Sequence, residues 1–391
     1  MESKSHYKQC SRCVLDTTST TISFDENGVC NYCHAFDRQM NKFINIDPSL
    51  KQKNLEQTVN YVKKVGKNNK YDCILGLSGG VDSTYMAYLA NKLGLRPMAV
   101  HFDNGWNSEQ AVKNIENIVS KLGLDLKTYV INWNEFKEIQ LAYLKASVVD
   151  IEVPTDQLIF AALNKIAKEN SIKYILSGSN IVTEYGMPLD WAYRNKSDQT
   201  NLMNIYNKFG NGLKLKTVPK FDFYAQYFYT EIYGIQTISL LNYVDYNKEK
   251  VKEIITKELG WQDYGGKHYE SVFTRFYQGY ILFKKFNIDK RKAHLSALIC
   301  SRQITKELAL KELETETYSK ELQEQDRLFV MKKFDLSETE FEMIMNTPRV
   351  EHDFYGTELK NDFKHTLFIN IMSVPAKLMN LWRRAITKLL K

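Results

Sequence analysis

The stretch Asp72-Cys73-Ile74-Leu75-Gly76-Leu77-Ser78-Gly79-Gly80-Val81-Asp82-Ser83 decides the fold. Cys73, Ile74, Leu75 and Leu77 form a short uncharged apolar run, the pattern of a buried strand. The run breaks at Ser78-Gly79-Gly80, where two glycines open backbone angles closed to other residues. A helix is predicted to follow at once, from Asp82-Ser83 through Leu93, with Tyr85, Met86, Leu89 and Leu93 on one face. Strand, glycine turn and helix together aim backbone N–H groups and the positive end of the helix dipole at an anion. Phosphate is the natural guest.

The loop has no Gly-x-x-x-x-Gly-Lys-Ser/Thr and no Gly-x-Gly-x-x-Gly, so neither of those nucleotide loops fits. Ser78-Gly-Gly-Val-Asp-Ser83 resembles the pyrophosphate loop of the ATP pyrophosphatases. That superfamily includes GMP, NAD and asparagine synthetases and the tRNA-thiolating enzymes. The resemblance implies cleavage of ATP between its α and β phosphates. Ser78, Gly79, Gly80, Asp82 and Ser83 would hold pyrophosphate while AMP is placed on a substrate oxygen. An ordinary strand-to-helix turn is the bland alternative, and the full hexapeptide in this context argues against it.

Strand-like segments at Pro97–Phe102, Leu126–Trp133, Lys173–Ser177 and Gly234–Leu241 alternate with helical ones at Ala111–Leu122, Phe136–Leu144 and Gln157–Lys168. Such alternation predicts a parallel sheet. The fold expected is α/β, a Rossmann-like parallel sheet of the adenine-nucleotide α-hydrolase type, with a cysteine knuckle before it and a mainly helical C-terminal part. The divisions are residues 1–40, a linker helix within 41–70, a nucleotide domain over 71–245 with an aromatic insert at 185–233, and a substrate or partner region over 246–391. In this fold type the strand ends complete the ATP site. By position, His101 and Asp103 border the adenosine, while Ser177, Gly178 and Glu184 line the phosphates. Mg2+ prefers carboxylate and phosphate oxygens, which makes Asp82 its first candidate ligand and Glu184 its second. A packed strand-end histidine is the ordinary reading of His101, and a solvated acid that of Glu184.

Cys10-Ser-Arg-Cys13 and Cys30-Asn-Tyr-Cys33 repeat C-x2-C across sixteen residues, a zinc spacing. Four thiolates would close a tetrahedral shell, so the zinc is structural, and His34 is a bystander. The chain has 391 residues, 43% apolar and 25% charged, which is globular composition, and a net charge of +7 that fits an anionic small substrate or nucleic acid and decides between neither. The polar Met1–Gln9 segment is no signal peptide and no apolar run is long enough to span a membrane, so a cytoplasmic enzyme is the default expectation.

Phe221–Tyr233 packs seven aromatics into thirteen positions. Base stacking is one use of such a segment; packing in a lid or interface is the reading favoured here. Beyond it stand Tyr264-Gly-Gly-Lys-His-Tyr-Glu-Ser271, Thr274-Arg-Phe-Tyr-Gln278 and Asp289-Lys-Arg-Lys-Ala-His-Leu-Ser296. Lys290 to Lys292, taken alone, reads as a solvated charge run. The knuckle, the pyrophosphate loop, Gly266–Ser271 and Asp289–Ser296 in this order resemble the N-acetyl sugar amidotransferase family of bacterial surface-polysaccharide and nonulosonic-acid pathways. The resemblance implies that ATP adenylylates the carbonyl oxygen of a sugar N-acetyl group. Ammonia then displaces AMP and leaves an acetamidino group. Asp82, Lys267, His268, Glu270 and Arg275 are the implied catalytic residues, and Arg291 and His294 the substrate-binding ones.

Four cysteines are committed to metal. Cys73 lies in the core strand, and Cys300 sits in no glutaminase elbow. A separate glutaminase subunit is therefore expected to supply ammonia. A tRNA-thiolating enzyme is the rival reading, weakened by the lack of further paired cysteines, and no nucleic acid is expected as partner. Lys311–Lys333 reads as one charged helical stretch, and Ser337-Glu-Thr-Glu340 as a capping box. Pro375–Lys391 is a basic amphipathic pattern, read as a docked terminal helix, with peripheral membrane contact as the alternative.

Overall fold

A computed structural model describes residues 7–266 and 268–358. The Pro375–Lys391 pattern and Lys267 lie outside the described residues. The elements in order are α1 (Asn31–Gln39), α2 (Pro48–Gly66), β1 (Cys73–Gly76), α3 (Val81–Lys92), β2 (Pro97–Asp103), α4 (Glu109–Leu122), β3 (Asp125–Val130), α5 (Trp133–Ala146), α6 (Val153–Glu169), β4 (Tyr174–Leu176), α7 (Ile181–Glu184), α8 (Gln199–Phe209), α9 (Phe223–Tyr227), β5 (Gln236–Ile238), α10 (Lys248–Leu259), α11 (Val272–Phe276), α12 (Leu282–Phe286), α13 (Arg291–Cys300), α14 (Lys306–Leu313), α15 (Lys320–Phe334) and α16 (Glu338–Asn346).

The sheet is five-stranded and parallel throughout, in the order β3-β2-β1-β4-β5. This is the α/β class expected. Alternate residues along each strand face opposite sides. Cys73, Leu75, Ala99 and Leu176 pack with α2, α3, α4 and α10 through Val62, Met86, Ile118 and Ile255. Ile74, Met98, Val100 and Ile175 pack with Ile166 and Ala167 of α6 on the other side. Burial on both faces explains why β1 reads as an unbroken apolar run. The segment placed as a linker helix is thus part of the sheet's covering layer. The strand order changes direction beside β1, which puts the Ser78–Ser83 loop at the crevice where such sheets bind ligands.

A second core joins the knuckle region to the helical segments that follow the sheet. Leu15, Tyr32 and Phe36 of the knuckle region pack in one cluster with α5, α8 and α11–α13. α11, a π turn at Tyr277–Ile281 and α12 run on without a break. The widened turn carries Gln278 and Gly279, and π turns favour functional sites. Within the aromatic insert Phe221 is buried against Phe160 and Tyr229, whereas Tyr224 and Phe228 are exposed.

Several boundaries differ from expectation; the strand expected over Gly234–Leu241 is confined to Gln236–Ile238 and gives way to a 3-10 turn at Leu240–Tyr243. The third strand stops at Val130, and Trp133 opens α5 because Asn132 caps it by accepting from Asn134 and Glu135 N–H groups. The stretch Lys311–Lys333 is two helices, α14 and α15, since Ser319 caps a new start by accepting from Leu322 N. Gly260 closes α10 with φ 68°, and the Ser337–Glu340 capping box is present.

His352 ties the C-terminal described segment to α5 and α8. Its ring stacks on Tyr193 at 4.2 Å, its Nδ1 faces Asn201 Oδ1 at 3.2 Å, and its Nε2 accepts from Asp150 N at 3.4 Å. Burial pushes its pKa down to about 4. The folded state therefore binds fewer protons than the unfolded one between about pH 4 and 6.5, and this stability is lost as pH falls through that window. We expect the stability difference between wild type and His352→Phe, from urea unfolding, to shrink by up to about 3 kcal/mol from pH 7 to pH 4. A difference independent of pH would contradict a buried neutral imidazole.

Candidate ATP and substrate site

The pyrophosphate loop is held by its own hydroxyls. Ser78 Oγ lies 3.0 Å from Ser83 Oγ and accepts from Gly80 N at 3.2 Å, while Ser83 Oγ donates to the Gly80 carbonyl at 3.2 Å. Gly79 has φ +80°, and an added Cβ there would lie 2.7 Å from the Ala111 carbonyl oxygen. Trp261 Nε1 donates to the Gly79 carbonyl at 2.9 Å. With the turn pinned, the first turn of α3 points outward its N–H groups, which lack intrahelical acceptors. Gly178, after β4, comes so close that a Cβ would sit 3.0 Å from Ser83 N, so a side chain there would force the two loops apart.

Asp82 is the acid of that first turn. Its Oδ1 accepts from Tyr246 Oη and from Asn180 Nδ2 at 3.3 Å. Burial, then the Asp82 charge, raises the Tyr246 pKa and keeps this phenol a donor. Ser177, Gly178, Thr183 and Glu184 line the same cavity as Ser78, Gly80, Asp82 and Ser83. Gly79 supports the loop from beneath. His101 and Asp103 are not on the cavity wall. His101 is buried, with Nδ1 3.0 Å from the Leu77 carbonyl and Nε2 3.0 Å from Asn107 Nδ2. Asp103 Oδ1 accepts from Gly105 N at 2.9 Å and Asn107 Nδ2 at 3.2 Å. Both brace the loop after β2.

That loop draws the distant C-terminal motif onto the sheet. Ser108 N donates to the Glu270 carbonyl and Val272 N to the Trp106 carbonyl, both at 2.8 Å. Glu270 and Tyr264 thereby reach Gly80, where a Cβ would lie 3.6 Å from Glu270 Oε1 and 3.3 Å from Tyr264 Oη. His268 Nδ1 faces Glu270 Oε1 at 3.4 Å, and the His268 and His294 rings stand 5.8 Å apart. His268, Glu270, Arg275, Arg291 and His294 all line the cavity, whose volume is about 1010 Å3.

The two arginines are anchored differently from what a solvated motif suggests. Arg275 pairs with Asp326 through Nε at 2.8 Å and Nη2 at 2.7 Å, with its guanidinium over Tyr269 and Tyr318. Arg291 chelates Asp289, with Nη2 at 2.7 Å, and Nη1 donates to the Glu312, Thr315 and Glu316 carbonyls. It clamps the loop that forms one cavity wall. The solvated reading of Lys290–Lys292 does not hold. Lys292 pairs with the fully buried Asp16 at 2.6 Å, and Lys290 lines the cavity. Helix phase decides this: residues two apart in the first turn of α13 point to opposite sides. The reading from sequence also missed Tyr246, Tyr264 and Gln278. Tyr264 could have been found from its place at the head of the Gly265-Gly266 motif. Nothing local marks Tyr246.

The four knuckle cysteines are buried, with all Sγ atoms within 4.8 Å of one another. Cys10–Cys33 and Cys13–Cys30 Sγ separations are 3.9 and 3.7 Å. Zn–S bonds of about 2.3 Å at tetrahedral angles require about 3.8 Å. Backbone N–H groups of Cys13 and Cys30 donate to Cys10 Sγ at 3.4 and 3.2 Å, as a thiolate demands. His34 turns away to Asp25 Oδ2 at 2.8 Å. Cys300 Sγ is 3.5 Å from Cys33 Sγ, and Cys73 is wholly buried in β1.

Residues 270–367 match the family described as LPS biosynthesis protein WbpG-like, C-terminal domain, and residues 53–168 match NAD synthase. An uncharacterized protein of Methanocaldococcus jannaschii is 26% identical over 44% of this chain and 59% of its own length. A probable tRNA sulfurtransferase of Lysinibacillus sphaericus is 30% identical over 30% of this chain and 29% of its own. The chain thus spans less than two thirds of either relative. An NH3-dependent NAD synthetase from Campylobacter jejuni aligns with a TM-score of 0.27 and 20% identity, over 35% of this chain and 58% of that one. No helix among the described residues is long and apolar enough to cross a membrane. Residues 53–168 are thus similar to a pyrophosphate-loop ATP-using domain and residues 270–367 to a WbpG-like lipopolysaccharide-biosynthesis C-terminal domain, and the two matches together support the resemblance to the N-acetyl sugar amidotransferase family.

Proposed function

We propose that the protein is an ATP-dependent amidotransferase that converts a sugar N-acetyl group to an acetamidino group. One observation carries the reading: the pyrophosphate loop and the Gly266–Ser271 and Asp289–Ser296 motifs share a single cavity. At about 1010 Å3 it is at the top of the range for one ligand, which suits a nucleotide and a second substrate side by side. Ser78, Gly80, Ser83 and the start of α3 would grip pyrophosphate, and Asp82 and Glu184 would hold Mg2+. That ion would neutralise charge on the departing phosphates. His268, Glu270 and His294 face the space beyond the loop, where the acyl group would be presented. Positioning and charge stabilisation carry such a reaction.

The knuckle cysteines would hold one structural zinc. Cys73 is sealed in the sheet and Cys300 stands against the knuckle, so neither fits a glutaminase nucleophile. Ammonia would come from a separate glutaminase. The tRNA sulfurtransferase likeness covers under a third of the chain, and the chain offers no spare cysteine pair to carry sulfur.

The test is incubation with ATP, ammonium and UDP-linked, CMP-linked or free N-acetylhexosamines. AMP and a product about one mass unit lighter are expected. Glutamine should not replace ammonium for the isolated chain. ADP as the nucleotide product, or sulfur incorporation into tRNA, would overturn the reading.

A further inference from the structure

Behind the cavity lies a group of titratable side chains for which the pyrophosphate site has no use. Lys290, at the start of α13, lines the cavity, and its Nζ makes no hydrogen bond or ion pair among the described residues. Glu152, just before α6, has Oε2 held by Thr274 Oγ1 at 2.9 Å. Its Oε1 has no exposed surface and no hydrogen-bond partner among the described residues. Asp150 and Asp156 flank the pair, both bonded to Lys196. Burial pushes the Lys290 pKa down and the Glu152 pKa up to about 7. Asp150, Asp156, Glu152 and Lys196 all act on Lys290, while Asp150, Asp156 and Lys290 act on Glu152. The three acids and Lys196 stand behind Lys290, off the cavity wall, so that Lys290 alone brings this group into the cavity. They leave room for an amine that trades protons.

We propose that Lys290, backed by Glu152, is the base that takes the proton from the attacking nitrogen, which makes this end of the cavity the site of the nitrogen nucleophile. The proposal rests on the amidotransferase reading. Ammonia uses its lone pair to form a C–N bond to the adenylylated amide carbon as the carbon's C=N π pair moves onto the sugar nitrogen, and the attacking nitrogen becomes positive. One N–H proton passes to the neutral Lys290 amine. The C–O bond to AMP then breaks, its electron pair leaves with AMP, and the amidine remains as a cation. The Lys290 ammonium, stabilised by the Glu152 charge behind it, then releases its proton to water in the open cavity, which restores the free amine. A base of this kind is worth about 10²–10⁴-fold in rate.

The experiment compares Lys290→Met, Lys290→Arg and Glu152→Gln with wild type, using the N-acetylhexosamine that supports turnover. Ammonium chloride and hydroxylamine serve as nucleophiles, with rates referred to the free amine. The protonated hydroxylamine adduct is a far stronger acid and sheds its proton without help. Both Lys290 variants should lose about 100-fold or more with ammonia and under about 5-fold with hydroxylamine. Arginine keeps the charge but cannot act as a base. Glu152→Gln should fall about 10-fold with ammonia and move the acid limb of the pH–rate profile. Near-wild-type ammonia turnover by Lys290→Arg would make the role one of charge alone and overturn the proposal. So would equal losses with both nucleophiles. Because each variant carries the hydroxylamine rate as its own control, misfolding cannot mimic the expected pattern. Absence of amidine from wild type with every sugar would instead overturn the amidotransferase reading, and the proposal with it.

Discussion

Asp82→Ala should lower the rate of AMP formation by about 10²–10³-fold, the usual cost of removing a charged group placed where phosphate charge develops. Asp82 stands in the first turn of α3, at the mouth of the loop, and its carboxylate is oriented by Tyr246 Oη and Asn180. Two variants separate chemistry from support. Tyr246→Phe removes one orienting bond and keeps the charge, so activity should stay within about 10-fold of wild type, with stability lower by about 1 kcal/mol. Asp82→Asn keeps the shape and loses the charge, so it should be nearly as inactive as alanine. Turnover by Asp82→Ala at the wild-type rate would remove the pyrophosphate loop from the reaction.

Metal removal should have the second large effect. Each intact chain should hold one zinc, and chelation or Cys10→Ser should lower the melting temperature by about 10 °C or more, given the several kcal/mol that a structural zinc supplies. The knuckle is not a detachable appendage. Val14 N donates to Ser296 Oγ at 3.3 Å, Lys292 pairs with Asp16, and Lys306 Nζ donates to the Cys10 carbonyl at 2.6 Å. These bonds anchor α13, which carries Lys290, Arg291 and His294 into the cavity. Loss of zinc should therefore abolish turnover at temperatures where the sheet still retains its circular dichroism signal. An unchanged melting temperature after complete metal removal would show that the four cysteines are not a folding site.

Much of the site was legible because its parts are local. The loop Ser78–Ser83, the strand before it and the helix after it are contiguous, and glycine at a position of φ +80° leaves its mark in sequence. The C-x2-C pairs are legible for the same reason: two ligands per turn must be close in the chain. His101 and Asp103 show where such reading stops. Their place at the end of β2 is correct for a ligand-facing strand, yet their side chains turn to Leu77, Gly105 and Asn107. Side-chain direction past a strand end depends on the loop that follows, which alternation cannot forecast. Arg275 and Arg291 teach the same lesson, since their partners Asp326 and the Glu312–Glu316 carbonyls lie on later segments.

From the order of residues alone came the parallel α/β class, the glycine turn after β1, the four-cysteine knuckle and the motifs that border the cavity. Each is written in spacing over a few turns or strands, where backbone geometry dictates period and cap. Only the folded chain decided which of the three consecutive basic residues after Asp289 points into the cavity, which clamps a loop and which holds the knuckle. It alone brought Glu152 behind Lys290 and Tyr246 onto Asp82. Those pairings span more than eighty residues of chain, and what joins them is the packing of helices against one another, on which local periodicity is silent.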